Sequence, residues 1–463
     1  FIAYSRRMGY KAASSAIHSP QRLQKQYSPS FYLSFYLGVF QMIKLEKIIF
    51  YIFLFSIPLQ TRIIIWQWSK PFNEWTAGYI YLTDILLAGL LVLWLIRSLK
   101  KKAILKLSVS DRLIIVFLII SAFSIFNSKI IGLSFYRLAK LGEFALLYFY
   151  VKANLGGMIE LSKMAAVVAG SGGFQAVIAI GQYLRQGSLG LKIFGESVIG
   201  INIPNVAVFT ADGHEYLRSY GTFPHSNVLA AWLLLAIFAF YFIYLRNKEK
   251  SNYVWFLFYS ILLFGFFFSF SRVAIFFWGI STIPFLFIGF FARKIRSAVY
   301  PLLVVTVITC GLFALLFWPQ VQARIHISGD EEAVTDRIYY NEIAGKIAIH
   351  NPLGIGIGQF VADLSNNFKH YPANFYQPVH NIYLIILDEV GFIGLVIFLA
   401  FLISNFRNNL RNKNPSAFYF LFIAFLFLLM GLFDHFLWTL QQGNFIFWAV
   451  LAAANVINRA VDS

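Results

Sequence analysis

Long apolar runs separated by short polar segments dominate the sequence, and they predict about a dozen membrane-spanning helices. A helix needs about 20 residues to cross the hydrocarbon core of a bilayer, and most of the runs approach that length. The predicted spans lie near 47–66, 78–96, 112–127, 134–151, 164–183, 227–245, 252–269, 272–291, 299–318, 381–403, 416–433 and 443–458. The pattern therefore predicts an all-α, polytopic membrane protein.

The basic residues give this predicted bundle a direction. Alternate loops between the spans are rich in Lys and Arg, and the intervening short loops hold few. Short loops rich in basic residues stay in the cytoplasm. We therefore predict an N-in, C-in arrangement with two long loops on the outer face, at about 184–226 and at about 319–380, the second between the ninth and tenth spans. We expect short helices joined by Gly and Pro turns in the second loop.

Composition supports the membrane class and excludes several functions. Hydrophobic residues make up 59% of the chain and charged residues 13%, with a mean hydropathy of +0.69, whereas soluble domains carry about 25% charged residues. The net charge of +18 lies mostly in the loops, so we expect no nucleic acid partner. The single cysteine excludes an intramolecular disulfide. The sequence lacks the G-x-x-x-x-G-K-[ST] phosphate loop, so we expect no ATP-driven step.

The beginning of the chain differs from the rest. Residues 1–41 are a mixture of Ser, Tyr, Gln and Lys without coherent periodicity, whereas Met42 is followed directly by lysines and an apolar run. We expect 1–41 to be a disordered or mis-assigned N-terminal extension. Residues 42–463 are then expected to form a single transmembrane domain.

Three polar segments lie at the predicted outer ends of the spans: 217–227, 269–272 and 379–394. The middle segment is the only polar break in a long apolar stretch and contains Arg272, which we therefore place at a tight outer hairpin. An arginine near hydrocarbon costs about 2.5–3.5 kcal/mol unless it faces water, a partner or the interface. These segments are the candidate functional positions.

The third segment carries the first of two family signatures. His380-Asn381, followed after nine residues by Gly391 and then by Gly394, resembles the histidine motif of the bacterial O-antigen ligase and O-antigen polymerase superfamily.

The first segment is similar to the other signature of that superfamily. Arg218 precedes Gly-Thr-Phe at 221–223 and His225-x-Asn227, although Ser226 stands where the family usually has Pro. Weaker matches are Ser271-Arg272, Arg337 and the segment 350–356. The order, the spacing and the common outer side of these motifs make the set specific.

The resemblance implies a glycosyltransferase that uses a lipid carrier. Such enzymes transfer a glycan from undecaprenyl pyrophosphate to an acceptor, which is lipid A-core in ligases, polysaccharide in polymerases and protein in the related oligosaccharyltransferases. They are inverting and need no metal, ATP or other cofactor. The expected partners are this donor, a glycan or lipid acceptor and membrane lipids. The expected location is the bacterial plasma (inner) membrane, with the site on the outer, periplasmic face.

The resemblance also implies roles for residues. Arg218 and Arg272 are expected to bind pyrophosphate, because the guanidinium fork is permanently charged and matches phosphate oxygens. His380, with a reference pKa of about 6.5, is expected to deprotonate the acceptor hydroxyl as general base. His225 and Asn227 are expected to fix the loop before the sixth span, which Ser226 or Asn227 can cap. The secondary candidates are Arg337, Asn381, Glu389, His225 and Asn227, and we expect no metal ligand.

Two other functions fit parts of the sequence. A transporter or lipid flippase is also basic, helical and nucleotide-free, but it is expected to show paired halves with polar groups near the midplane. The shape-and-division peptidoglycan polymerases also have an outer loop and many spans, but they centre on a loop carboxylate. The motifs of this chain centre on a histidine and two arginines, and they leave open ligase, polymerase and protein-glycosylating activity.

Overall fold

The computed structural model describes residues 29–101, 107–246, 253–326, 332–368, 371, 375–410 and 415–456. The described chain is mostly helical, with two antiparallel β-hairpins, β1–β2 and β3–β4. The helices are α1 (Pro29–Ser56), α2 (Leu82–Lys101), α3 (Val109–Ser124), α4 (Ile131–Asn154), α5 (Leu161–Arg185), α6 (Ser226–Arg246), α7 (Tyr253–Phe267), α8 (Arg272–Phe291), α9 (Arg296–Leu316), α10 (Trp318–Ile325), α11 (Glu332–His350), α12 (Phe360–Asn367), α13 (Ile382–Leu410), α14 (Pro415–Met430), α15 (Phe436–Thr439) and α16 (Gln441–Val456). The strands are β1 (Arg62–Gln67), β2 (Ala77–Tyr81), β3 (Val208–Ala211) and β4 (His214–Leu217).

Long apolar helices make this a multi-pass membrane protein. Within the described ranges, seven helices are long and apolar enough to cross a membrane, namely α2, α3, α5, α6, α8, α9 and α13. The helices α7 and α14 are apolar but shorter. Each of the twelve predicted spans overlaps a helix. The number of crossings and their orientation stay predictions.

The first predicted span, 47–66, was wrong at its end. Helix α1 begins at Pro29 and ends at Ser56, and the chain then forms the β1–β2 hairpin. Pro58 explains the end of the helix, because the residue before a proline disfavours helical backbone. Strand β1 exposes 45–64% of each side chain from Ile63 to Trp66. Residues 1–28 of the predicted extension lie outside the described residues, and its boundary at residue 41 stays a prediction.

Helix α6 occupies the centre of the bundle. Seventeen of its residues are buried, and they lie on every side of the helix. A helix that is apolar all round belongs in the interior of a large helical assembly. Its first turn therefore holds Asn227 firmly in place.

A kink in helix α13 accepts backbone hydrogen bonds from the chain that follows α11. Gly391 has φ 83° and ψ 176°, which are not helical. The kink frees the carbonyls of Asp388 and Glu389, which accept hydrogen bonds from Ile355 N (2.8 Å) and Gly356 N (3.0 Å). A Cβ at residue 391 would lie 2.5 Å from a backbone carbon of Leu353, so only glycine allows this close contact. The expected short helices of the segment 319–380 are α11 and α12, together with most of α10.

Candidate active site

Arg218 leaves strand β4 and points its guanidinium into the protein. The side chain is 9% exposed. Its Nε donates to the carbonyl of Ser269 (2.9 Å), and its Nη2 donates to Oδ1 of Asn227 (2.6 Å). The guanidinium thus joins the loop before α6 to the turn between α7 and α8.

Two glutamines of α5 fix the loop that follows Arg218. Gln182 Oε1 accepts hydrogen bonds from the backbone N–H groups of Tyr220 (3.0 Å) and Gly221 (2.8 Å). Gln175 Oε1 accepts one from Thr222 N (2.9 Å). The Gly-Thr-Phe motif is therefore held by buried side-chain amides.

Asn227 is the link between Arg218 and a carboxylate. Its Oδ1 also accepts from Ser271 Oγ (3.0 Å), and its Nδ2 donates to Oδ2 of Asp434 (2.8 Å). The backbone N–H of Asn227 donates to Nδ1 of His225 (3.1 Å). The Asn227 amide is therefore occupied by Arg218, Ser271 and Asp434, and Ser226 Oγ has no hydrogen-bond partner among the described residues. Neither side chain forms the helix cap that we expected at this turn.

Asp434 is a functional candidate that the sequence analysis missed. It lies between α14 and α15, is 8% exposed, and accepts a hydrogen bond from His435 N (2.8 Å) in addition to the Asn227 amide. Burial raises its pKa, but the nearby His435, His380 and His225 and the Asn227 amide lower it to about 2. The signal was available, since Asp434-His435 is a charged break between two apolar runs.

His380 lies in the turn before α13, beside this carboxylate. Its ring centroid is 5.0 Å from that of His435, and its buried Nδ1 has no hydrogen-bond partner in the described part of the chain. Burial lowers the pKa of His380, Asp434 acts in the opposite direction, and Arg337 lowers it further. His380 is therefore neutral at neutral pH, the form in which an imidazole accepts a proton.

Arg337 and Arg272 bring further positive charge to the cluster. The charge of Arg337, on α11, lowers the pKa of His225, His380 and Arg218. Arg272 begins α8, and its Nε donates to the carbonyl of Arg324 (2.9 Å). Arg272 also lowers the pKa of Arg218. Three arginines therefore share one region with Asp434.

The other two histidines of the cluster stay uncharged. Burial is the main cause that lowers the pKa values of His225 and His435 to about 3. His435 Nδ1 lies 2.6 Å from the hydroxyl of Thr439. Among the residues that the structure describes, no group of His, Cys, Asp and Glu is arranged to hold a metal ion.

Two predicted residues support the site without joining the cluster. Asn381 caps α13, because its Oδ1 accepts from Tyr383 N (2.9 Å) and Leu384 N (3.2 Å). Glu389 accepts a hydrogen bond from Trp438 Nε1 (3.0 Å) within the bundle. The structure thus brings together Arg218, Arg272, Arg337, His225, Asn227 and His380, with Asp434 added.

One known protein family matches a part of the chain that includes several residues of this site. Residues 257–399 match the family model described as O-antigen ligase. This segment is similar to the O-antigen ligase family. The family resemblance found in the sequence is thereby confirmed. The matched segment contains Arg272, Arg337 and His380, whereas Arg218 and Asp434 lie on either side of it. No curated protein matches the chain.

Proposed function

We propose that the protein transfers a glycan from undecaprenyl pyrophosphate to a lipid A-core or polysaccharide acceptor, at the outer face of the bacterial plasma membrane. The match to the O-antigen ligase family supports a glycan ligase or polymerase. The observation that carries the proposal is the convergence of the buried Arg218, the neutral His380 and Asp434 from three distant parts of the chain.

The proposed reaction is a direct displacement at the anomeric carbon. His380 takes the proton of the acceptor hydroxyl, whose oxygen attacks the carbon that bears the pyrophosphate. The bond between that carbon and the phosphate oxygen breaks, and its electron pair leaves with the pyrophosphate. Arg218 and Arg272 stabilise the negative charge that develops there, which is the most effective use of preorganised cations in a site that excludes water. The step needs neither ATP nor a metal ion.

Asp434 has a distinct part in this proposal. His380 becomes an imidazolium when it takes the acceptor proton, and the Asp434 carboxylate raises the pKa of His380. Asp434 therefore stabilises the protonated form that exists only after the reaction has begun. Through Asn227, the same carboxylate also fixes the orientation of Arg218.

The direct test is glycan transfer by purified protein in lipid nanodiscs. The donor is a glycan on undecaprenyl pyrophosphate, and the acceptors are lipid A-core and free oligosaccharide, with EDTA and without ATP. We expect transfer by the wild type and none by His380→Ala, although this variant still binds the donor. The matched control is His214→Ala, an exposed histidine at the start of β4. Wild-type transfer by His380→Ala would overturn the proposed role.

The same assay separates the rival functions. A flippase moves the lipid-linked glycan across the bilayer without forming a new glycosidic bond, so the appearance of product decides against it. The acceptor that is glycosylated distinguishes a ligase from a polymerase. Lipid-linked glycan that accumulates in cells carrying His380→Ala, at unchanged protein level, supports the same conclusion in vivo.

A further inference from the structure

A large polar groove follows helix α11, and the proposed reaction does not use it. Its volume is about 820 Å³, within the ~300–1,000 Å³ that is typical of ligand sites. One wall is α11, the other is α12 with the turn between α3 and α4, and the floor is the segment 351–355. The groove accompanies α11 from Tyr339 to His350, which is about 16 Å at ~1.5 Å per residue. It is therefore long enough for an extended chain.

Helix geometry places the groove and the candidate site on opposite sides of α11. Successive residues of an α-helix lie about 100° apart around its axis. The groove residues Tyr339, Lys346 and His350 are therefore about 180–220° around the helix from Arg337. Arg337 belongs to the candidate site, since its charge lowers the pKa of His380. The groove can thus hold only a part of a substrate that is remote from the reacting atoms.

Hydrogen bonds between its walls and within them give the groove one fixed shape. Lys129, in the turn between α3 and α4, donates from Nζ to Oδ1 of Asp363 on α12 (2.6 Å). The side chain of Gln359 binds both the N–H (3.0 Å) and the carbonyl (2.9 Å) of Ile130 in the same turn. A preformed site loses little conformational freedom when a ligand binds.

Three exposed amide side chains line the groove in orientations that are already fixed, namely those of Asn127, Asn351 and Asn367. Each amide nitrogen donates to one protein oxygen, at 2.8 to 3.0 Å. Within the described chain no donor binds their Oδ1 atoms, so these oxygens are available to the hydroxyl groups of a ligand.

The charges along the groove are balanced, unlike those of the candidate site. Two lysines, two carboxylates and one histidine line it: Lys129, Lys346, Glu342, Asp363 and His350. The positive and negative charges cancel when the histidine is neutral, so the groove favours a neutral polar ligand over a phosphate. Tyr339 adds an aromatic ring that is 39% exposed. A sugar chain matches this lining, because its hydroxyls suit the amides and its apolar C–H faces suit the ring.

We propose that this groove binds the part of a glycan chain that lies beyond the reacting sugar, as a neutral segment of the donor or of the acceptor. The inference rests on the proposed function and adds to it a dependence on glycan length. A short glycan occupies only the reacting cluster, whereas a long one also gains the hydrogen bonds of the groove. Binding that is equal before and during the reaction lowers KM and leaves kcat unchanged.

The test compares two neighbouring asparagines of α12. Asn367→Ala removes one amide from the groove. Asn366→Ala is the matched control, because Asn366 is also exposed but does not line the groove. Glycan transfer is measured in nanodiscs with one series of donors and one of acceptors, each running from a single repeat unit to many.

The expected signature is a loss that depends on length. Asn367→Ala should raise KM for the longest glycans about two- to tenfold, the value of one neutral hydrogen bond. Its kcat and its KM for the shortest glycans, and all constants of Asn366→Ala, stay unchanged. Tyr339→Ala, on the opposite wall, should act in the same direction as Asn367→Ala. The series that shows the effect identifies the glycan in the groove as donor or acceptor.

A binding experiment without turnover tests the groove independently. The probe is the surface polysaccharide of the native host cell, released by mild acid, of which the long fraction is used. We expect saturation-transfer NMR signals with the wild type and Asn366→Ala, and weaker signals with Asn367→Ala and Tyr339→Ala. Thermal unfolding of the three variants confirms that they are folded.

The outcomes separate the two proposals. If the wild type transfers no glycan, the proposed function fails, and the NMR comparison still decides whether the groove binds a glycan. If the wild type transfers glycan and Asn367→Ala keeps its KM at every length, the groove inference is wrong and the proposed function stands. An equal rise in KM for short and long glycans also overturns the inference, because it would place Asn367 at the reacting sugar.

Discussion

Replacing Arg218 by lysine tests whether the guanidinium fork, and not only its charge, acts on the pyrophosphate. Arginine has five N–H donors. Two of the Arg218 donors bind the Ser269 carbonyl and the Asn227 amide oxygen, and no other described residue takes the remaining three. The two protein contacts fix the plane of the guanidinium, so a pair of the remaining donors can bind two phosphate oxygens at once.

The size of the effect follows from these contacts. A hydrogen bond to a charged group is worth about 1.5–3 kcal/mol. Lysine has three N–H donors, and two of them are needed to replace the bonds to Ser269 and Asn227. Arg218→Lys therefore loses about one bond to the phosphate, which lowers kcat/KM for the donor about 10- to 150-fold. Arg218→Ala loses both and is expected to fall by about 150-fold or more.

The assay is glycan transfer in nanodiscs at saturating acceptor, over a series of donor concentrations. Arg185→Lys is the control, since Arg185 is an exposed arginine at the end of α5. Thermal unfolding of each variant shows whether a loss of rate reflects a loss of fold. A wild-type kcat/KM in Arg218→Lys would refute the bidentate geometry, and a loss equal to that of Arg218→Ala would show that the charge by itself contributes nothing.

Three further predictions concern the histidine, the kink and the first hairpin. Burial lowers the pKa of His380 and Asp434 raises it, so activity should persist below pH 6.5, about the ordinary pKa of an imidazole. Asp434→Asn should lower the pKa of His380 further and move the acid limb of the pH–rate profile to lower pH. An acid limb that does not move would contradict the electrostatic coupling between His380 and Asp434. Gly391→Ala should lower the free energy of unfolding by at least about 1–3 kcal/mol. Gly345→Ala is the control and should not lower it, because a Cβ added at this helical glycine would meet open space. Thermal unfolding compares the two variants. A fluorescent label is attached to Ile64→Cys in a variant without the native cysteine. Quenchers carried on lipids should quench it, because β1 exposes apolar side chains between two long apolar helices. An emission spectrum typical of the label in water would contradict this prediction.

Hydropathy predicted the long apolar helices well, because most of them are apolar runs of nearly bilayer length. It did not predict the β1–β2 hairpin, because the run 47–66 is continuously apolar and an apolar run does not by itself distinguish a helix from a strand. Two local signals were present. Pro58 disfavours helical backbone before it, and the β-branched residues from Ile63 to Ile65 favour a strand.

The candidate site was predictable in its parts but not in its connections. The family signatures identified Arg218 and His380, and the structure brings them into one cluster. Asp434 was missed because its importance depends on a hydrogen bond to Asn227, 207 residues earlier in the chain. Asn381 and Glu389 belong to the same motif as His380, yet their side chains stabilise helix α13 and its neighbours. Spacing in a sequence does not separate a residue that contacts substrate from one that holds it in place.

Burial has two opposite consequences in this site, and the proposed chemistry needs both. Burial, with Arg337 and Arg272 nearby, lowers the pKa of Arg218 to about 10, so the guanidinium stays charged at neutral pH but is stabilised less than in water. In the proposed reaction, a bound pyrophosphate would offset that cost, most strongly as negative charge collects on the leaving oxygen. Burial also keeps the histidines uncharged, with the pKa of His225 near 3. The positive charge therefore stays on the arginines, where the proposed leaving group needs it, and His380 stays neutral, as the proposed proton transfer from the acceptor requires.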